Sequence, residues 1–173
     1  MSVITSLELF AGAGGLATGI GDAGAKHNAI IEWDEQACRT LCANFSDKLV
    51  KNEDIRNFNF NDLPPVDLIA GGPPCQPFSL GGKHKGNMDQ RDMFPYAVKA
   101  INICKPKAFI FENVKGLLRK SFSSYFSYII LRLSYPEVVQ KSGQSWTEHL
   151  QKLERIHTSN TYNGVKYNVL FRL

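Results

Sequence analysis

Cys75 stands in the stretch GGPPCQPFS, whose composition suits a positioned, reactive thiol. Prolines fix the backbone φ angle, so Pro73, Pro74 and Pro77 limit the shapes that this loop adopts. A cysteine attacks as its thiolate, which nearby positive charge stabilises. Four basic residues follow within sixteen positions, namely Lys83, His84, Lys85 and Arg91. The pattern predicts a nucleophile, and the alternative is a buried, inert cysteine in a turn.

Glu112 and Asn113 follow a second apolar run, in FIFENVKG. A carboxyl group among apolar neighbours loses solvation, which raises its pKa and suits it to donate a proton. We therefore expect Glu112 to be such an acid, surrounded by Phe109, Ile110, Phe111 and Val114. The alternative is a solvated glutamate or one that caps a helix.

A third motif is LELFAGAGGLATG, in which Gly12, Gly14 and Ala17 match the pattern G-x-G-x-x-G/A. It follows a β-rich run and opens a helical one, where glycines permit a tight turn and close approach of a nucleotide to the backbone. Glu32 stands 20 residues after Gly12, at the position of an acid that binds ribose hydroxyls. The combination predicts an adenosine-containing cofactor and leaves NAD and S-adenosylmethionine both open.

Three further residues suit the base of such a cofactor. Trp33 offers a flat apolar face, although an aromatic residue at a strand end is as often part of the core. Asp54 offers an acceptor for the adenine amino group, and Ile55 offers an apolar wall. From the residues alone, this assignment and a purely structural one stand equal.

The elements that must position these motifs alternate between strand and helix, which predicts an α/β fold with a mostly parallel sheet. The β-rich runs are 3–10, 28–33, 47–52, 66–71 and 107–113. Helices are expected after the first and the second run, and Asp34 is the expected N-cap of the second of these helices. Two more helices are expected, one that starts near Pro95 and one over 117–133. The polar segment 136–164 predicts an inserted loop with an amphipathic helix that Ser145 and Glu148 cap, and VKYNVLFRL predicts a last strand.

Composition limits the function classes. The chain has 173 residues, 43% apolar and 21% charged, which fits one folded domain with a sizeable core. No apolar run is long enough to span a membrane, so a cytoplasmic protein without membrane contact is expected. Four cysteines in such a chain are expected to stay reduced, with Cys38, Cys42 and Cys104 in the core and no metal site. The net charge of +4 permits a polyanionic partner without requiring one.

The chain resembles the bacterial cytosine-C5 DNA methyltransferases over about residues 5–120, in the motifs FAGAGG, EWD, EDI, GGPPCQPFS and ENVKG. The resemblance implies a Rossmann-like, S-adenosylmethionine-dependent methyltransferase fold with a doubly wound, mostly parallel sheet. It also implies that the cofactor is S-adenosylmethionine, which is released as S-adenosylhomocysteine. An NAD-dependent oxidoreductase would leave the motifs PPCQPF and ENV unexplained. The residues that would then bind the cofactor are Phe10, Gly12, Gly14, Gly15, Leu16 and Pro74 beside the loop, Glu32 at the ribose, and Trp33, Asp54 and Ile55 at the adenine.

The same resemblance implies the catalytic roles. Cys75 would add to C6 of a cytosine flipped out of double-stranded DNA, and Glu112 would pair with the N3 and N4 edge of that base. Gln76, Ser79 and the loop to about Arg91 would support the DNA backbone and the vacated space, while Asn113 positions the proline-cysteine loop. Restriction–modification, with the protein near the nucleoid, is the setting usual for the family.

The sequence departs from the family after VKYNVLFRL, where family members continue into an arginine-containing motif and a target-recognition domain. We therefore expect residues 1–173 to form a C-terminally incomplete catalytic domain that acts when a second polypeptide supplies the missing half. A non-catalytic cofactor-binding subunit, an inactive fragment and a cytosine-C5 methyltransferase of tRNA remain the alternatives.

Overall fold

Five strands form one parallel sheet in the computed structural model, which describes residues 3–74, 92–159 and 161–172. The strands are β1 Thr5–Leu9, β2 Lys26–Glu32, β3 Val50–Asn52, β4 Leu68–Gly71 and β5 Ala108–Phe111. They lie in the order β3-β2-β1-β4-β5, and every pair is parallel. The chain runs outward from β1 and then returns beside it at β4, which is the doubly wound order that the sequence predicts.

Within the described ranges, five α-helices connect or follow these strands: α1 Gly15–Asp22, α2 Glu35–Asn44, α3 Phe94–Cys104, α4 Ser123–Ser134 and α5 Trp146–Ser159. The Asp34 side chain accepts a hydrogen bond of 2.8 Å from the Ala37 N–H, which confirms it as the N-cap of α2. Pro95 lies in the first turn of α3, where a proline lacks only an N–H that has no helical partner. None of the helices in the described ranges is long and apolar enough to cross a membrane.

The described residues divide into two compact units. The first holds residues 3–74 and 103–113, and so contains the whole sheet with α1 and α2. Its interior includes a cluster of Ala17, Ile30 and Leu41, against which Phe45 and Val50 pack. Ala17 is the last position of the glycine pattern, and its small side chain lets α1 approach β2 closely.

The second unit holds residues 92–102 and the described part of 114–172, and so contains α4 and α5. His149 of α5 is fully buried, with Nε2 2.9 Å from the Val138 carbonyl and Nδ1 2.8 Å from the Tyr128 hydroxyl. Since a carbonyl only accepts, Nε2 carries the proton and Nδ1 accepts from Tyr128. Burial, assisted by Arg132, lowers the pKa of His149 to about 4.

Sequence-based expectations for the second unit are partly confirmed. The capping box is present, because the Ser145 N–H donates to Glu148 Oε2 over 2.8 Å and the Glu148 N–H donates to Ser145 Oγ over 3.2 Å. The helix expected over 117–133 starts only at Ser123, after two 3₁₀ turns at Lys115–Leu118 and Lys120–Phe122.

Two expectations are wrong. The final strand is absent among the described residues, since 161–172 form no ladder and the Tyr167 N–H donates instead to the Ser134 carbonyl over 3.0 Å. Cys42 is exposed rather than in the core, because α2 turns Cys38 and Leu41 inward and leaves Cys42 on its outer face. Cys104 is half-buried, so only Cys38 matches the expectation fully.

Candidate active site at the carboxyl edge of the sheet

The predicted site residues that the structure describes follow the carboxyl ends of the five strands. Leu9 at the end of β1 pairs with Ile31 on one side and Gly71 on the other, and Gly71 pairs with Phe111. Glu32 pairs with Asn52, which brings the end of β3 to the same edge. The loops that follow these strands are therefore neighbours, as ligand-binding loops are in doubly wound sheets. Cys75, Gln76 and Ser79 lie outside the described residues.

The loop after β1 depends on backbone conformations that favour glycine. Gly12 has a φ of 54° and Gly14 a φ of 90°. A Cβ on Gly14 would also lie 2.7 Å from Leu41 Cδ2, so a side chain there would have to displace the buried Leu41. Phe10 adopts a φ of 55° without being glycine, a strain that clusters at functional loops. Side chains at Gly12 or Gly15 would meet nothing within 4 Å, which leaves space over the loop.

Glu32 ties this loop to the end of β2. The Gly12 N–H donates to Glu32 Oε2 over 2.8 Å, and the N–H groups of Trp33 and Asp34 donate to Oε1 over 2.9 Å each. A carboxylate has about four acceptor positions, so one remains, on Oε2, for a further donor such as a ribose hydroxyl. Glu32 therefore has a structural role that the sequence pattern did not suggest, beside the predicted one.

The residues expected around an adenine lie beside Glu32. Trp33 is 73% exposed and so accessible to a ligand, whereas Ile55 is only 5% exposed. The Asn52 side chain donates to the Trp33 carbonyl over 3.0 Å, and the Glu53 N–H donates to the Glu32 carbonyl over 3.0 Å. Asp54 directly follows these two hydrogen-bonded residues, so it lies at the same edge of the sheet.

Asp54 has a partner that sequence reasoning missed. The Arg56 backbone N–H donates to Asp54 Oδ1 over 2.9 Å, and Arg56 Nε lies 2.9 Å from both carboxylate oxygens. This guanidinium holds the pKa of Asp54 below its usual range, so the carboxylate stays ionised. The available signal was local, because an arginine two residues after an aspartate can reach its carboxylate across the turn.

The segment after β4 is held by the segment after β5. The Asn113 side-chain amide donates to the Pro73 carbonyl over 2.8 Å, and the Glu112 N–H donates to the Gly71 carbonyl over 3.0 Å. Glu112 Oε2 lies 3.5 Å from where a Cβ on Gly72 would stand. Since Pro73 precedes Cys75 by two residues, Asn113 anchors the chain that leads into the cysteine.

The predicted apolar enclosure of Glu112 is not found among the described residues. Ile110 is 50% exposed and Val114 is 56% exposed, and the Glu112 side chain lies at the surface. The expectation relied on sequence neighbours, but alternate residues of a strand point to opposite faces and do not surround the residue that follows. The described part of the chain therefore offers Glu112 as an accessible carboxylate.

A buried acid in β1 was also missed. Glu8 is 1% exposed, and its Oε1 lies 3.9 Å from His27 Nδ1 and has no hydrogen-bond partner among the described residues. Burial raises the pKa of Glu8 to about 7 and lowers that of His27. Ser6 Oγ lies 2.7 Å from His27 Nδ1, so three polar side chains meet inside the first unit. The available signal was a glutamate between two leucines, Leu7 and Leu9, in β1.

The donor set at this edge suits an adenosine-containing cofactor. Glycines with positive φ leave the backbone open, Glu32 keeps a free acceptor position, and Trp33 exposes a flat ring. Within the described ranges no group of three or more His, Cys, Asp or Glu side chains is arranged to hold a metal ion. The arrangement therefore suits a nucleoside beside a segment that leads to a cysteine.

Comparison with known proteins agrees with these motifs. The family model of C-5 cytosine-specific DNA methylase matches residues 4–135. The Type II methyltransferase M.NgoMIV of Neisseria gonorrhoeae is 46% identical over 125 residues, covering 72% of this chain and 40% of that protein. M.PspPI of a Psychrobacter species is 47% identical over 126 residues, covering 72% of this chain and 30% of that protein. The chain thus spans well under half the length of these relatives.

Solved structures give the same fold. A DNA modification methyltransferase encoded within an Escherichia coli prophage matches with a TM-score of 0.62 and 30% identity, over 73% of this chain and 36% of that one. A DNMT2 of Spodoptera frugiperda matches with a TM-score of 0.54 and 25% identity, over 76% of this chain and 41% of that one. The predicted Rossmann-like methyltransferase fold is confirmed.

Proposed function

This chain belongs to the family of C-5 cytosine-specific DNA methylases, and from that premise we propose that it transfers a methyl group from S-adenosylmethionine to C5 of cytosine in DNA. The observation that carries the proposal is the hydrogen bond from Asn113 to the Pro73 carbonyl. It joins the ENV motif to the PPC motif at the edge where the glycine loop and Glu32 also lie. Pro73, Asn113 and the glycine loop therefore lie at one edge of the sheet in the first unit, and Cys75 follows Pro73 by two residues in the sequence.

The cofactor would lie between the loop after β1 and the ends of β2 and β3. Phe10, Gly12, Gly14, Gly15 and Leu16 would contact it along the loop, with Pro74 beside its reactive end. Glu32 Oε2 would accept from the ribose, Trp33 would stack on the adenine, and Asp54 with Ile55 would border that base. S-adenosylmethionine supplies an electrophilic methyl group and leaves as S-adenosylhomocysteine.

The chain's own groups would perform the remaining chemistry. The Cys75 thiolate forms a bond to C6 of the flipped cytosine, which pushes the ring electrons toward C5. Glu112 pairs with the N3 and N4 edge and offsets the charge that develops there. After C5 is methylated, loss of its proton and departure of the Cys75 thiolate restore the aromatic ring. Gln76 and Ser79 would hold the DNA backbone, and Asn113 would position the cysteine loop.

Double-stranded DNA is the proposed substrate, and the Type II methyltransferases among the relatives support a restriction–modification setting in the bacterial cytoplasm, near the nucleoid. The aligned residues cover 40% and 30% of the two relatives described above. We therefore propose that a second polypeptide, carrying a target-recognition domain, reads the target sequence. A domain of 1–173 with 136–164 as an insertion remains part of this proposal.

Transfer of labelled methyl groups from S-adenosylmethionine to mixed bacterial DNA tests the function. The 173-residue chain would be assayed beside Cys75→Ser, with tRNA as a second substrate. Cys42→Ser is a matched control, because Cys42 is an exposed thiol on α2. Label in DNA that Cys75→Ser abolishes and Cys42→Ser retains supports the proposal.

Three other results have distinct meanings. Label in tRNA alone would replace DNA by tRNA as the substrate. Cofactor binding without transfer, even after a recognition domain from a relative is added, would identify a non-catalytic binding subunit. Label that persists in Cys75→Ser would refute the cysteine mechanism.

A further inference from the structure

Arg56 controls the orientation of the Asp54 carboxylate. It supplies a backbone N–H to Oδ1 over 2.9 Å and an Nε that lies 2.9 Å from both oxygens, and its Nη2 also contacts Oδ2. A guanidinium is planar, so such contacts fix the plane of the carboxylate as well as its position. These contacts come from three N–H groups, with Nε shared between the two oxygens, so about one of the four acceptor positions remains for another donor. The Asp54 side chain also keeps 24% of its surface exposed.

The carboxylate that Arg56 orients follows residues that border the proposed position of the adenine. Asp54 follows Glu53, whose N–H is bonded to the Glu32 carbonyl over 3.0 Å. Asn52 binds the carbonyl of Trp33, whose ring is 73% exposed. Ile55 is buried and holds the turn that carries Asp54 against the core. One side of the proposed base position is thus a carboxylate whose orientation Arg56 sets.

We propose that Arg56 is a positioning residue that makes Asp54 select an adenine over a 6-oxopurine. The inference rests on the proposed binding of S-adenosylmethionine. An ionised aspartate only accepts hydrogen bonds, so it pairs with the exocyclic amino group of adenine and faces the carbonyl oxygen of hypoxanthine with repulsion. Without Arg56 the carboxylate turns away from either base, and the discrimination decreases.

The test compares S-adenosylhomocysteine with S-inosylhomocysteine, whose base carries a carbonyl in place of the amino group. Calorimetry would give the dissociation constants for the 173-residue chain and for Arg56→Ala, Arg56→Lys and Asp54→Asn. Arg39→Ala is the matched control, because it removes an arginine from an exposed pair with Glu35 on α2. Thermal unfolding would establish that each variant folds.

Arg56→Ala is expected to weaken binding of the adenine ligand by about tenfold and to leave the hypoxanthine ligand unchanged or bound more tightly. Arg56→Lys keeps the charge but loses the planar fork, so its affinity for the adenine ligand should lie between those of the parent chain and Arg56→Ala. Arg39→Ala should change neither dissociation constant. An equal loss of affinity for both ligands would mean that Arg56 only supports the loop. Unchanged affinity for both would mean that Arg56 has no role in binding. If the parent chain binds neither ligand, the cofactor proposal itself fails together with this inference.

Discussion

Ionisation of the buried Glu8 side chain opposes folding of the first unit. Its pKa of about 7 in the folded chain exceeds the ordinary value of 4.5, so the folded state holds this proton longer than the unfolded state does. The contribution to stability is therefore complete below pH 4.5 and is lost as the pH rises toward 7. His27, 3.9 Å away, shifts in the opposite direction and offsets part of this slope.

Glu8→Gln should raise the free energy of unfolding at pH 8 by about 1–3 kcal/mol, because the variant no longer buries an ionised carboxylate. Near pH 4 the two proteins should differ little, since both side chains are then neutral. Urea unfolding at the two pH values measures this difference. Glu35→Gln serves as the control, because Glu35 is exposed and its pair with Arg39 is expected to contribute little. An unchanged pH slope in Glu8→Gln would contradict the argument.

Among the elements, the pair of 3₁₀ turns after β5 carries an unbalanced positive charge. Lys115, Arg119 and Lys120 are exposed there, and none forms an ion pair with another described residue. The sequence from Asn113 to Pro136 contains no aspartate or glutamate. Leu117 is buried and anchors the first turn. Under the proposed function, we expect these three cations to contact DNA phosphates.

Replacing the three cations by glutamine should weaken binding to duplex DNA and reduce the slope of log K against log salt by about 2–3. Affinity for S-adenosylhomocysteine should not change, because no cofactor residue is altered. Fluorescence anisotropy at several salt concentrations measures both the affinity and the slope. The control replaces three exposed cations of the first unit, Lys26, Arg39 and Lys48. Equal effects in the two triple variants would mean that only net charge matters.

At the scale of the whole molecule, the two units should respond differently to acid. His149 has a pKa of about 4 in the folded chain and 6.5 when free, so the unfolded state binds the proton more readily. The stability that His149 contributes is present above pH 6.5 and is lost as the pH falls toward 4. In the first unit, the contribution of Glu8 to stability increases as the pH falls, so it opposes acid destabilisation of that unit.

Hydrogen exchange at pH 5 and pH 7, corrected for intrinsic rates, should therefore show a larger loss of protection in α4 and α5 than in β1 and β2. His157→Gln is the control on the same helix, and it should keep the acid sensitivity of the parent. His149→Gln should remove that sensitivity even if its stability at pH 7 is lower. Uniform loss across both units would instead indicate a single cooperative transition.

The sequence predicted best those features whose causes are local. Alternating strand and helix patterns gave the parallel sheet, and a single side chain or pair explains the Asp34 cap and the Ser145–Glu148 capping box. The glycine pattern located the loop after β1, where a positive φ at Gly12 and Gly14 is a property of residue type.

Features that depend on distant residues were not accessible in this way. Tyr128 and His149 are 21 positions apart, and nothing in either segment identifies the other as its partner. The exposure of Cys42 follows from which side of α2 meets the sheet, and the burial of Glu8 from what covers β1. The run 165–172 alternates like a strand, but a strand needs a neighbour, and pattern alone supplies none.

Gly71 gives the sheet edge a constraint of another kind. A Cβ at this position would lie 2.2 Å from the Leu9 carbonyl oxygen, so any other residue would force β1 and β4 apart. The glycine loop and the PPC segment begin at these two strands, and the spacing between them is set by a missing side chain. If natural variants all keep this glycine, the reason is the close approach of β1 and β4. Its conservation would then be no evidence that Gly71 contacts a ligand.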